Sequence, residues 1–305
     1  MEYSVVEYTK KIIAKHIPLY RYDYKQDFCL WQEKSREKLA ELLGMDAFEK
    51  CEPNLQIEYV TDEGTYINTR FSFQVEEGLY APCHLITPKN SEEKIPVFIC
   101  LQGHSTGMHI ALGKTKYERD EIMLGGCPER AIAIEAVKRG YAAIALEQRY
   151  MGERDHDEDG TPICCSGDAL SSILMGRTNI GERVWDIQRL IDVIETHFPQ
   201  LDKERIGCMG GSGGGTATFY AACLEERIKY CNPNTSICTY RDSIVATHHC
   251  ACNYVPGIAR YFDMGDLGGL IAPRKMVMSN GDKDPIFKIE GAMESAEIIK
   301  RLYKT

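Results

Sequence analysis

The stretch Arg205-Ile206-Gly207-Cys208-Met209-Gly210-Gly211-Ser212-Gly213-Gly214-Gly215 decides how this chain is read. Residues 205–209 form an apolar run of strand length, and residues 216–224 read as a helix. A serine on so sharp a strand-to-helix turn sits in strained backbone, with its hydroxyl held out above the sheet. Glycines flank it because a Cβ would clash where strand and helix nearly touch. Ser212 is therefore a candidate nucleophile. The Gly213 N–H, in the first turn of the helix, is a candidate donor to an oxyanion. A phosphate-binding loop is the competing reading. The stretch lacks the Gly-Lys-Ser/Thr ending of a P-loop, and it falls too late in the chain for a dinucleotide fingerprint.

Outward from this turn the chain alternates strands and helices. Residues 95–101 form a buried strand that stops before Gly103. A helix over 129–138 and a strand over 141–146 follow. Residues 181–197 place Val184, Ile187, Leu190, Ile191 and Ile194 on one helical stripe. After the turn come a strand over 228–233, a strand over 275–279 and a helix over 287–303. Upstream, residues 55–87 switch to short alternating runs expected of antiparallel strands. Residues 1–50 look helical, with a stop at Gly44. Antiparallel strands first and βαβ units afterwards predict an α/β fold with a mostly parallel sheet and helices on both faces. The expected division is a helical extension over 1–52 and one α/β domain over 53–305. The irregular stretches 104–126, 150–178 and 235–272 are long enough to be lids or to carry small helices.

Composition narrows the partners. The 305 residues are 44% hydrophobic and 27% charged, ample for a full core. A net charge of −9 argues against nucleic acid or an anionic membrane surface as partner. No run is long enough to span a bilayer, and the first residues lack the pattern of a signal peptide. Thirteen scattered cysteines then fit reduced thiols in a cytoplasmic protein. His248-His249-Cys250-Ala251-Cys252 and Cys164-Cys165 raise the question of metal. Structural zinc sites pair two ligand pairs; no second pair is evident, so no metal is expected.

A serine nucleophile needs a base, an orienting acid and oxyanion donors. Asp284, in Gly281-Asp282-Lys283-Asp284-Pro285, follows the 275–279 strand and lies where active sites of open α/β sheets collect. It is preferred to Asp282, although both could simply form the turn. The loop Leu101-Gln102-Gly103-His104 follows the first parallel strand, and the backbone N–H of His104 is the second oxyanion candidate. The base is harder to place. No histidine follows His249, so either the chain is C-terminally incomplete or another histidine serves. His249, with His248 beside it, is the candidate, against the plain reading of both as structural histidines.

Gly210-Gly211-Ser212-Gly213-Gly214, Asp202-Lys203-Glu204-Arg205-Ile206-Gly207 and Gly281-Asp282-Lys283-Asp284-Pro285 resemble an α/β-hydrolase. The similarity is to the dienelactone hydrolase and acetyl-xylan-esterase-like branch. Leu101–His104, Ala145–Glu153 and Asp266–Arg274 share it, over about residues 90–290. The resemblance implies an α/β-hydrolase fold and hydrolysis of carboxylic esters, with a small acyl such as acetyl, through an acyl-serine and without cofactor. Ser212 would be the nucleophile, Asp284 the acid, and Gly213 and His104 the oxyanion amides. The substrate would be a small-molecule or carbohydrate ester. The family presents its histidine in a Gly-His loop after a last strand, and this chain has no such loop. A peptidase of the prolyl-oligopeptidase type and a catalytically impaired hydrolase fold therefore remain open.

Overall fold

The computed structural model describes residues 3–89, 94–155, 165 and 167–305. Two helices open the chain, α1 (Val5–Lys15) and α2 (Phe28–Leu43). Ser4 and Asp27 cap them by accepting from the N–H groups of Glu7 and Leu30. α2 ends at Gly44, whose φ of 73° is the left-handed conformation glycine adopts at least cost. Three strands follow: β1 (Gln56–Asp62), β2 (Tyr66–Glu76) and β3 (Leu79–Pro88). The alternation comes next: β4 (Ile95–Leu101), α3 (Glu118–Gly126), α4 (Ile132–Lys138) and β5 (Ala142–Leu146). Then come α5 (Asn179–His197), β6 (Leu201–Gly211), α6 (Gly213–Leu224) and β7 (Ile228–Asn234). The short α7 (Ile258–Tyr261) and α8 (Met264–Gly268) precede β8 (Lys275–Met276) and α9 (Ile289–Leu302).

The strands form one eight-stranded sheet in the order β1-β2-β3-β5-β4-β6-β7-β8. β1, β2, β3 and β5 pair antiparallel in succession. β5, β4, β6, β7 and β8 are parallel. This is the expected mostly parallel sheet with antiparallel N-terminal strands. Its two faces bury separate apolar layers. One joins β2–β8 residues to α2, α5, α6 and α9, with Trp31, Leu39, Phe71, Ile187, Phe219 and Ile299 at its centre. The other seats Cys100, Ala143 and Ala145 against Met108, Leu112, Ala133 and Val137. Because α2 sits in the first layer, it shares the core of the sheet, whereas α1 buries none of its residues.

The largest departure from the sequence reading is at the β8 edge. A strand over 275–279 was expected, but the ladder covers only Lys275 and Met276, with an isolated bridge from Asn234 to Ser279. The three irregular stretches do carry helices, including α3, α7 and α8.

Candidate active site

β6 ends at Gly211, α6 begins at Gly213, and Ser212 alone makes the turn. Its φ of 52° and ψ of −120° are rarely adopted by a residue with a side chain. The turn is held from both sides. The Ser212 N–H donates to the Asn234 carbonyl at the end of β7 (2.9 Å), and its own carbonyl accepts from the Thr216 N–H (2.8 Å). The glycines are required by close approach. A Cβ on Gly214 would lie 2.2 Å from the Leu101 carbonyl oxygen, and one on Gly103 would lie 3.3 Å from the Ser212 Cβ. Helix α6 can therefore start against the end of β4, with its unpaired N–H groups directed at the Ser212 turn. Among the described residues nothing hydrogen-bonds the Ser212 hydroxyl, which is half-buried.

The loop after β4 is tied down by a buried carboxyl. Glu147 accepts from Gln102 Nε2 (2.8 Å) and from the Met108 N–H (3.0 Å). Gln148 Nε2 donates to the Gln102 carbonyl (2.7 Å). Complete burial pushes the Glu147 pKa up to about 7, against the pull of these backbone donors. The His104 ring lies over the start of α6, where a Cβ on Gly213 would be 2.6 Å from it. It reaches Cys252 Sγ through Nε2 at 3.1 Å. Burial works against charge on this ring. Hydrogen bonds to Cys165 and Cys252 outweigh it and hold its pKa up at about 9.

The acid and base candidates lie beyond β8 and in the 235–272 stretch. Asp284 Oδ1 accepts from the Ile286 and Phe287 N–H groups at 2.7 and 2.9 Å, so the carboxylate holds its own turn. Asp282 and His248 are exposed. His249 is buried. Its Nε2 pairs with Ser243 Oγ at 2.9 Å, and its ring meets Phe287 edge-on. Burial and then the field of His104 lower its pKa, while Asp284 and the Ile286 backbone oppose them. Asp284 therefore acts on His249, but the His249 ring is hydrogen-bonded to Ser243 and not to Ser212.

The sequence reading expected no metal because it found no second ligand pair. The fold supplies that pair from distant positions: the ligand atoms of His104, Cys165, Cys250 and Cys252 all lie within 4.8 Å of one another. Cys164 lies outside the described residues. Cys165, Cys250 and Cys252 lie in the stretches that raised the question of metal, but spacing along the chain could not have shown that His104, in the loop after β4, joins them.

A cavity of about 450 Å³ opens at the Ser212 turn, lined by Gly103, His104, Met123, Arg130, Gly211 and Ser212 among others. A larger one of about 770 Å³ lies toward the other end of the strands, beside Pro96, Phe98 and Tyr230. The smaller is the candidate site, because open α/β sheets gather their chemistry at the carboxyl ends of the strands.

A serine at this turn, on this strand order, defines an α/β-hydrolase fold. The chain belongs to the Abhydrolase family, whose model matches residues 3–299. It is 26% identical over 229 residues to YtaP of Bacillus subtilis (strain 168), assigned as a hydrolase; the match covers 73% of this chain and 72% of YtaP. Among solved structures it resembles BF1801 from Bacteroides fragilis NCTC 9343, assigned as an acetyl xylan esterase. There the TM-score is 0.81 at 15% identity, over 100% of this chain and 80% of that one. It also resembles a glucuronoyl esterase from Solibacter usitatus, with a TM-score of 0.69 at 16% identity, over 95% and 87% of the two chains. No helix among the described residues is long and apolar enough to cross a membrane.

Proposed function

We propose that the protein hydrolyses carboxylic esters through an acyl-serine on Ser212. The observation that carries this reading is the backbone of Ser212, held at φ 52° between a parallel strand and a helix N-terminus. Strain of this kind costs about 1–3 kcal/mol and persists where the surroundings enforce it. Ser212 Oγ attacks the acyl carbon and its proton passes to a base. The carbonyl oxygen becomes an oxyanion within reach of the Gly213 and His104 amides. The alcohol leaves with the proton, and water then releases the acid from the acyl-serine.

Asp284 is the proposed acid and His249 the proposed base. What supports the pair is that His249 is buried and lies within the field of Asp284. For His249 to act, its hydrogen bond to Ser243 must open. The same hydrogen bond favours a second reading, a hydrolase fold whose serine lacks its base. The acyl group we propose is small, such as acetyl, on a carbohydrate or other small alcohol. The cavity is modest, and similarly folded proteins are named for acetyl xylan and glucuronoyl esters. We place the protein in the cytoplasm on its many thiols.

Labelling by a fluorophosphonate and turnover of an activated acetyl ester test the reading together. The expected result is a label on Ser212, turnover of the ester, and little turnover of a peptide amide. Ser212→Ala should lose both label and turnover, the latter by at least about 10⁴-fold. Wild-type kcat in Ser212→Ala overturns the assignment, and a wild-type protein that neither labels nor turns over establishes the second reading.

A further inference from the structure

Beside the Ser212 turn lies a cluster of side chains that the proposed ester hydrolysis does not use. The cysteines come from two separate stretches, and the histidine from the loop after β4. Cys250 and Cys252 bracket Ala251 at the start of a short 3₁₀ turn. Cys165 belongs to the stretch after β5. His104 and Cys252 are 148 positions apart in sequence and touch through Nε2 and Sγ. All four ligand atoms lie within 4.8 Å of one another.

We propose that His104, Cys165, Cys250 and Cys252 form a four-coordinate site for a soft divalent transition metal, with zinc as the ion. Three sulfurs and an imidazole nitrogen are a ligand set that zinc takes as a closed tetrahedron. Magnesium and calcium require oxygen ligands, and this set contains none. The spacing fits as well. With metal–sulfur bonds of about 2.3 Å, the edges of such a tetrahedron are about 3.8 Å. Four atoms already gathered within 4.8 Å, the His104–Cys252 pair at 3.1 Å, need each separation to change by only about 1 Å or less to reach that geometry.

A second observation supports the site independently. Arg183, on α5, is 1% exposed, and its guanidinium donates to Cys165 Sγ (3.0 Å) and Cys252 Sγ (3.4 Å). Three thiolates on a divalent ion leave one net negative charge. A buried guanidinium hydrogen-bonded to two of those sulfurs offsets it and orients the ligands. The surroundings are apolar: Met151, fully buried, and Tyr150 pack on the same sulfurs. The ring of His104 is fixed by its seat against Gly213.

With four protein ligands the ion has no open position, so its role is structural. It joins three distant segments at the edge of the Ser212 turn. Above all it anchors the His104 side chain, and through it the loop that carries a proposed oxyanion amide. Uptake displaces the three thiol protons and the proton that the free His104 ring holds, and the imidazole then coordinates as the neutral ring.

The test reads metal directly, so its outcome is independent of whether the protein is an esterase. Full-length protein is equilibrated with zinc under reductant, freed of excess by gel filtration, and assayed for metal per chain. Cobalt titration of the same protein reports geometry. The expectation is close to one zinc per chain and the intense absorption of a tetrahedral cobalt–thiolate site. Cys250→Ser and Cys252→Ser should each weaken zinc at least about tenfold. Cys29→Ser, at an exposed position on α2, should bind as wild type. The proposal is overturned if wild-type zinc content is no higher than that of the Cys250→Ser/Cys252→Ser double variant. A cobalt spectrum without thiolate bands overturns it too, and this arm needs no variant to fold. So does a disulfide within the trio that persists with zinc and reductant present.

Discussion

Ser212 carries both the chemistry and the strain of the turn, and the two can be separated. Alanine removes the hydroxyl but keeps the Cβ that makes φ 52° costly, whereas glycine removes both. Both variants should be inactive toward an activated acetyl ester. Ser212→Gly should nevertheless be more stable than Ser212→Ala by about 1 kcal/mol, the strain outweighing the entropy that glycine adds to the unfolded chain. Urea denaturation of the two variants measures the difference. A glycine variant that is the less stable of the two would mean the turn is unstrained, and the main support for a nucleophile there would go with it. This residue was legible in the sequence because a serine among five close glycines, between a strand and a helix, has few other uses. His249 was legible only as a candidate. Whether an imidazole faces Ser212 or Ser243 depends on a loop path that local pattern does not encode.

At the scale of elements, α5 shows where periodicity informs and where it misleads. Its apolar stripe was readable from five residues. Its other buried face is charged: Glu182, Arg183, Asp186 and Arg189 are all enclosed. Hydrophobic periodicity assigns charged residues to solvent, so it cannot foresee a buried ion network. Asp186 is 1% exposed and accepts from Arg149 Nη2 (2.8 Å) and Arg154 Nη1 (2.6 Å). Burial pushes its pKa up, but the two guanidinium groups outweigh this and hold it below the usual carboxylate range. Removing one partner leaves charge buried and underpaired, which costs about 3–5 kcal/mol. Arg149→Met should lose that much in chemical denaturation, and the Arg149→Met/Asp186→Leu double variant should recover part of it. Losses that simply add would show that the pair is not coupled. The contact of α6 with β4 gives a second test at this scale. A Cβ on Gly214 meets backbone carbonyls of Leu101 and Gln102 at 2.2 and 2.4 Å, and backbone cannot swing aside. Gly214→Ala should therefore lower the melting temperature and push α6 off the strand end. A variant as stable as wild type would place that helix farther from the sheet.

Over the whole molecule, a mostly parallel sheet with antiparallel strands at its start followed from the alternation of patterns, whereas the groupings around its carboxyl edge did not. His104, Cys165 and Cys252 meet because β4, the segment after β5 and the 250–253 turn converge there, and each carries only one or two of the residues involved. Glu147 belongs to the same edge and links the site to global stability. It is wholly buried at the end of β5, and its pKa rises from the ordinary 4.5 to about 7. Between those values the folded protein holds a proton that the unfolded chain has released. Stability from this group is therefore greatest below about pH 4.5 and falls as pH rises toward 7, after which it is flat. The span corresponds to about 3 kcal/mol. Asp186 and Glu153, whose pKa values are lowered, work in the opposite sense at acid pH, so the wild-type curve alone mixes both. Glu147→Gln isolates the term, because glutamine has no proton to lose and every other group is shared. Urea denaturation at pH 5 and at pH 8 should show the stability of wild type relative to Glu147→Gln falling by up to about 3 kcal/mol as pH rises. If the difference is the same at both pH values, the Glu147 carboxyl is ionised throughout. The buried, proton-holding clamp on the loop of Gln102 and Met108 would then be wrong.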